Sequence, residues 1–481
     1  PMGGLSLTLI KAYLDKQKLD LPPPSISVTD ALAFEQNSMV VDIAVSSIQD
    51  TCDGDGVQQQ FVLPVNLNND SLVDFIAHYW CQRTDFHVVD DGPTLDLLVA
   101  YLSNNNGSYA SDNETVFGIS DPKLGGASRN FDTGDLNDDG KPDFAFAVNR
   151  EDLRSTADVE TIAAKPALLL STLGGYEVHN LGIADWGHAV GIIENKVIFS
   201  GFNISDSQVF TYVNGLFEDV TSSNYSRYSA GGFDVYGDYI VQGTMKTIDG
   251  KSFVGFELLR SDGTALDEFL FEEQFKIQRE SSSGVYEERI VYAKENGDLF
   301  FDSLANEVQV FESDNEILVV AIYDTHVFSG SEQLVSNQRV DQDQRIPKKE
   351  IFLFRIANES LKSKIDDIDY SFGDDFVQFL DVADLNNDGF PDLQFSVMDG
   401  AFGSSHTEGV PRVFLNDGND DFRYVDDNRF IKTQLLEGGS GRGFVYDVNG
   451  DQMLDFVRFS VISDIQDVKI EIYLAKSNFF E

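Results

Sequence analysis

The chain has 481 residues, with 34 Lys+Arg against 81 Asp+Glu and a formal net charge of −47. A surface of that sign repels phosphate backbones, so nucleic acid is a poor partner. Hydrophobic residues make up 42% and aromatics 12%, which suits a packed core rather than a disordered chain, and no apolar run approaches the ~20 residues of a membrane-spanning helix.

Residues 1–24 alternate Leu5, Leu7 and Leu9, carry Lys11, Lys16 and Lys18 in an otherwise acidic protein, and end in Pro22, Pro23 and Pro24. Three prolines in a row form a stiff polyproline spacer. The stretch therefore reads as an N-terminal arm and Pro linker ahead of a main domain at 25–481. It either docks on a partner or a second copy, by strand addition or as an amphipathic segment, or packs on its own domain. It lacks the basic n-region, apolar h-region and cleavage site of a signal peptide, so any such signal was removed or never present. Next, "SMVVDIAVSS" (38–47) is apolar and β-branched with no hairpin partner of its own, and reads as a strand that pairs elsewhere.

The two cysteines, Cys52 and Cys81, enclose two apolar runs and an acidic loop. A disulfide between neighbouring strands would contribute roughly 3–4 kcal/mol on the chain-entropy picture and implies an oxidising compartment. The alternative is a pair of separate buried thiols in a cytosolic protein.

Within that span begins an acidic nine-residue pattern. "NLNNDSLVD" (66–74) recurs as "DLNDDGKPD" (135–143), "DLNNDGFPD" (384–392) and "DVNGDQMLD" (447–455), and an apolar residue follows each copy: Phe75, Phe144, Leu393 and Phe456. Ca2+ takes about six to eight oxygen ligands, and short polar side chains on alternate residues of a tight loop supply them. Positions 1, 3, 5 and 9 provide the side-chain oxygens: Asn66, Asn68, Asp70 and Asp74; Asp135, Asn137, Asp139 and Asp143; Asp384, Asn386, Asp388 and Asp392; Asp447, Asn449, Asp451 and Asp455. Position 7 is chemically arbitrary (Leu72, Lys141, Phe390, Met453), as suits a backbone carbonyl ligand. Gly140 and Gly389 at position 6 permit a left-handed backbone, so the second and third copies are the best formed. The first, which starts with a neutral Asn, is the weakest.

Asx-rich turns are the bland alternative, but Asp at both positions 5 and 9 would then crowd uncompensated charge in several loops. An EF-hand needs an acid at position 12 and flanking helices. Here position 12 is Ala77, Phe146, Phe395 or Arg458, and the flanks read as strands.

Downstream of these loops lie seven hairpins, in "LLVAYLSNNNGSY", "ALLLSTLGGYEV", "QVFTYVNGLFEDV", "GFELLRSDGTALDEF", "IFLFRIANESLKS", "RVFLNDGNDDFRYV" and "EIYLAKSNFFE". Each follows a first hairpin that starts near residue 66, 135, 185, 234, 308, 384 or 447, the three middle ones with degenerate loops. Repeated four-stranded units of this size build β-propellers. The expected fold is all-β, a seven-bladed β-propeller with Ca2+ loops in several blades, a short N-terminal extension, and an insertion at about 270–350. The last hairpin stops as it enters its return strand, so residues 38–47 are expected to pair with 469–475 or that return strand and close the last blade from both chain ends.

"ADLNNDGFPDL…RVFLNDGNDDF" and "GDLNDDGKPDF" resemble the FG-GAP/VCBS repeats of bacterial surface proteins, related to the integrin α-subunit propeller. The resemblance covers about residues 60–481. It implies a secreted, cell-surface or periplasmic propeller that binds Ca2+, at about four sites here, and serves adhesion or ligand binding without catalysis. The ligand on a propeller face would be a protein or a glycan.

The six histidines are scattered, without a metalloprotease, hydrolase-elbow, Walker or dinucleotide motif. His78 and His188 are the most interesting, because the neighbouring Trp80 and Trp186 suit sugar stacking or, more plainly, packing. Two function classes remain: a Ca2+-stabilised binding module, and a carbohydrate-active enzyme such as a polysaccharide lyase. The second is disfavoured because a lyase needs a base and charge neutralisation around an acidic sugar.

Overall fold

The computed structural model describes residues 39–42, 57–68, 72–81, 95–104, 109–149, 163–185, 187–201, 207–225, 232–248, 251–270, 274–280, 286–293, 299–313, 315–328, 345–363, 368, 376–398, 411–416, 418, 422–425, 443–448, 454–462 and 467–473. Among them the chain is all-β apart from one short helix. A lone strand, β1 (Met39–Asp42), precedes the first sheet, which holds β2 (Val57–Val65), β3 (Asp74–Cys81), β4 (Leu95–Ser103) and β5 (Tyr109–Ser111). The helix α1 (Asn113–Phe117) follows, capped by Asp112 and by Gly118 in the left-handed conformation. Sheet two holds β6 (Ala127–Gly134), β7 (Asp143–Asn149), β8 (Ala167–Thr172) and β9 (Gly175–Asn180). Sheet three holds β10 (Gly187–Ile193), β11 (Lys196–Gly201), β12 (Gln208–Val213) and β13 (Leu216–Asp219). Sheet four holds β14 (Phe233–Tyr236), β15 (Tyr239–Ile248), β16 (Lys251–Arg260) and β17 (Ala265–Leu270).

Sheet five has six strands: β18 (Gln274–Glu280), β19 (Tyr286–Ala293), β20 (Leu299–Ser313), β21 (Glu316–Phe328), β22 (Arg345–Ala357) and β23 (Ser360–Ser363). Sheet six holds β24 (Phe376–Ala383), β25 (Asp392–Met398), β26 (Pro411–Asn416) and β27 (Phe422–Tyr424). The last is β28 (Gly443–Tyr446), β29 (Asp455–Ile462) and β30 (Asp467–Tyr473), with β1 as its fourth strand. All pairings are antiparallel and, apart from β1 on β30, join strands that are consecutive in the chain.

The central strands carry unbroken apolar runs because both of their faces are covered. Every residue of β7 is buried, whereas β13 and β17 at the outer edges are half-buried or exposed. The apolar clusters accordingly lie between successive sheets. Phe61, Phe146 and Val457 belong to one cluster that spans sheets one, two and seven. Others join sheets two and three through Ala145, Val190 and Phe210, three and four through Ala189 and Ile240, four and five through Phe256 and Phe354, and five and six through Leu318 and Phe395. The first strands of the sheets, with β20 in that place in sheet five, touch in succession: β2 meets β6, then β10, β14, β20, β24 and β28 follow, and β2 also touches β29 and β30.

The lone strand found its expected place. Residues 39–42 pair with 469–472, Met39 opposite Ile472 and Asp42 opposite Lys469, so the terminal sheet takes strands from both ends of the described chain. One expectation is corrected. The inner hairpin of sheet three turns at Glu194–Asn195 rather than near Asp185, which instead exchanges backbone hydrogen bonds with Ala164 at 2.8 and 2.9 Å. The stretch at 270–350 lies in sheet five, where β18 and β19 add a hairpin and β20–β22 are long strands. The N-terminal arm (residues 1–24) and Cys52 of the expected disulfide lie outside the described residues. Cys81 ends β3 opposite Val57 and Leu95.

The first strands share two devices. A register shift leaves one residue unpaired six positions before the loop in sheets one, two, three and six, at Gln60, Arg129, His188 and Gln378; such bulges bend and twist a strand locally. Carboxylates also tie strands of neighbouring sheets together. Asp132 on β6 accepts the Ile192 amide of β10 at 2.6 Å, and Asp234 on β14 accepts the Val310 amide of β20 at 2.5 Å. Between them Gly191 is a close-approach position, since a Cβ there would stand 2.5 Å from Val235.

Burial lifts Asp132 to about 6, and lifts Asp234 well above the carboxylate range with the Asp132 charge adding to it. A carboxylate raised in the folded state destabilises the fold once ionised; its stability contribution is complete below the unfolded value of 3.8 and is lost as pH rises through about 6. Melting temperature should therefore rise as pH falls from about 7.5 to about 5, and Asp132→Asn should flatten that slope by removing a contribution on the order of 2 kcal/mol. Thermal melts of both proteins across that range check it, with exposed Glu218→Gln as the control for general charge repulsion.

Closure by β1 carries its own expectation. A chain starting at residue 25 should melt cooperatively near the full-length temperature, whereas one starting at residue 48 lacks β1, exposes the β30 edge and should aggregate or lose cooperativity in scanning calorimetry and light scattering.

Candidate functional site

The acidic pattern forms the loop between the first and second strands of a sheet, and its two complete copies have nearly the same hydrogen bonds. In sheet two, Asp135 accepts the amides of Asp139 at 3.0 Å and Gly140 at 2.8 Å, and Asn137 Oδ1 also accepts Asp139 N at 3.0 Å. Asp139 accepts Lys141 N at 2.9 Å. In sheet six, Asp384 accepts Asp388 N and Gly389 N at 3.0 and 2.7 Å, Asn386 accepts Asp388 N at 3.1 Å, and Asp388 accepts Phe390 N at 2.9 Å. The wrap needs left-handed residues at positions 4 and 6. Asp138 and Asn387 take φ of 57°, Gly140 and Gly389 take 80° and 92°, conformations that Asp, Asn and above all Gly adopt at least cost.

Position 9 plays a role that the spacing did not reveal. Asp74, Asp143, Asp392 and Asp455 are each 0% exposed. One oxygen of each accepts the amide of position 2: Leu67 at 2.8 Å, Leu136 at 2.7 Å, Leu385 at 2.8 Å and Val448 at 2.9 Å. In sheets one, two and six the other oxygen accepts an amide at or near the end of the third strand: Ser103 at 2.7 Å, Ser171 at 2.6 Å and Asn416 at 2.8 Å. The carboxylate thus clips the loop to the third strand as well as being a candidate ligand.

Around the sheet-two loop, Ser171 Oγ donates to Asp139 at 3.0 Å, Asn137 donates to the Ser171 carbonyl at 2.8 Å, and Lys141 Nζ reaches the Thr172 carbonyl at 3.3 Å. The electrostatics are those of crowded like charge. Burial pushes Asp392 up to about 7, with the charges of Asp388 and Asp384 adding to it, and burial with the Asp139 charge raises Asp143.

Among the described residues, however, no three His, Cys, Asp or Glu side chains converge on a point that a metal could occupy; the oxygens at positions 1, 3 and 5 face backbone amides. Of the two remaining copies, Asn66, Asn68, Leu72, Asp74, Asp447 and Asp455 are described, while Asp70, Asn449, Asp451 and Met453 lie outside the described residues. Trp80 and His78 are 0% exposed, which removes Trp80 as a sugar platform and His78 as a base for an outside substrate. His188 sits on β10, and Trp186 lies outside the described residues.

Comparison with known proteins leaves the family open. No family model matches the sequence, and no curated protein matches it. Among solved structures, the exotype rhamnogalacturonan lyase YesX aligns over 92% of this chain and 75% of its own, at 10% identity and a TM-score of 0.36. Bacillus licheniformis rhamnogalacturonan lyase PL11 aligns over the same shares at 10% identity and 0.32. A Glu150Gln mutant of Synechocystis apocarotenoid oxygenase aligns over 94% of both chains at 10% identity and 0.30. Likeness this remote carries no functional argument.

The two roles of the loop carboxylates separate by mutation. Asp143→Ala strips two buried amides of their acceptor and should cost roughly 2–4 kcal/mol with or without calcium. Asp139→Ala removes a solvent-facing carboxylate and should cost much less in EGTA. Denaturant melts of both variants with calcium and with EGTA check the contrast.

Proposed function

We propose that the chain is a calcium-stabilised, seven-bladed β-propeller of the FG-GAP/VCBS kind, acting as a binding module outside the cell, on its surface or in the periplasm. The observation that carries this reading is the matching hydrogen-bond set of the loops at 135–143 and 384–392, which repeats the same acidic wrap in two different sheets. The succession of first-strand contacts and the β1–β30 pairing support a closed ring of blades. In each complete loop the ion would draw on positions 1, 3, 5 and 9: Asp135, Asn137, Asp139 and Asp143, or Asp384, Asn386, Asp388 and Asp392, with the carbonyl of Lys141 or Phe390. Bound Ca2+ supplies positive charge where Asp388 and Asp384 act on buried Asp392, and so stabilises the fold without taking part in chemistry. Four ions would offset +8 of the −47.

The ligand would be a protein or a glycan on one propeller face, with the N-terminal arm as a further assembly contact. On this reading calcium binds only the native state and stabilises it by mass action. The melting temperature should fall in excess EGTA and recover with added Ca2+, and elemental analysis of the dialysed protein should find the metal. An unchanged melt together with no metal would refute the calcium assignment. Screening the calcium-loaded protein on a glycan array, with a parallel assay for unsaturated uronate product, tests the binding role; product formation would move the protein to the lyase class.

A further inference from the structure

Sheets one and two meet across an aromatic layer in which Phe61 stacks on Phe146 at 4.7 Å and lies 5.5 Å from the His78 ring. Polar groups enter this layer beside His78. His78 and Trp80 are two residues apart on β3 and so share a face, and Asp96 stands opposite Trp80 on β4. Asp96 accepts from His78 Nε2 at 3.1 Å, from Leu124 N at 3.1 Å and from Gly125 N at 2.6 Å. Since this carboxylate already gathers amide donors, Nε2 is assigned as the protonated nitrogen of His78, and Nδ1 of the neutral ring is left as an acceptor.

Leu124 and Gly125 lead into β6. There Ser128 pairs with Val148 while Phe131 pairs with Phe146, which puts Ser128 on the face that looks toward sheet one. Three buried polar atoms on these facing sides of sheets one and two have no hydrogen-bond partner among the described residues: His78 Nδ1, Trp80 Nε1 and Ser128 Oγ. Their residues are 0%, 0% and 2% exposed. One atom accepts, one donates and one does both, and buried polar atoms without partners are rare in folded proteins.

We propose that His78 Nδ1, Trp80 Nε1 and Ser128 Oγ line an internal site for one water molecule between sheets one and two. The water accepts the indole N–H, donates to the imidazole nitrogen and exchanges a hydrogen bond with the serine hydroxyl. Buried waters typically hold about three such partners. Through His78 and Asp96 it connects to the amides of residues 124 and 125, and so anchors the segment that carries the chain from sheet one into sheet two.

The test uses the full chain with 15N-labelled tryptophan and histidine, with Trp186→Phe assigning the indole resonances. The Trp80 N–H should show a direct cross-peak to a long-lived water, and His78 should show the Nε2–H tautomer. In denaturant melts, Trp80→Phe and Ser128→Ala should be non-additive in the double variant, because both act on the same water. Absence of the cross-peak, or strictly additive losses from the two substitutions, overturns the site.

Discussion

A four-stranded sheet that is apolar on both faces cannot stay in water alone, and this constraint organises the molecule. β7 is buried along its whole length, so sheet two needs a neighbour on each side, and the apolar clusters lie between sheets rather than within them. Stability is then a sum of sheet-to-sheet interfaces, each dependent on the next. A succession of this kind is weakest where it begins and ends. The pairing of residues 39–42 with 469–472 places a strand from before the first sheet in the last one, and Ile472, opposite Met39, belongs to the apolar cluster that also holds Phe61 and Val457.

Carboxylates do the joining that apolar packing leaves undone. Asp132 and Asp234 tie strands of neighbouring sheets through backbone amides, and Asp74, Asp143 and Asp392 at position 9 hold their loops to the third strands of their own sheets. A buried carboxylate is costly unless its oxygens are satisfied, and fixed amides satisfy them here. Burial nevertheless raises Asp132 and Asp392, and the negative charges of Asp388 and Asp384 add to it at Asp392. That charge is what a proton or a cation would relieve, and it links the architecture to the proposed calcium dependence.

The outer hairpins were legible in the sequence because each is a local event: two β-rich runs separated by Asn, Gly or Asp, as at Asn214–Gly215 between β12 and β13. The acidic loops were legible for the same reason, since ligand spacing and Gly140 lie within nine residues. The turn of sheet three was misplaced because Glu194–Asn195 carries no acidic repeat, and only its ladder register reveals it. The ties made by Asp132 and Asp234 were missed because their partners, Ile192 and Val310, are 60 and 76 residues away.

The sequence by itself determined the strands, the loops and their acidic chemistry, since alternation, turn residues and ligand spacing act over a few residues and need no partner. Only the tertiary structure decided which carboxylates are buried and what satisfies them, how β18 and β19 extend sheet five, and that His78 and Trp80 face inward. Those outcomes depend on which distant strands come together, and burial and hydrogen-bond satisfaction have no meaning until they do.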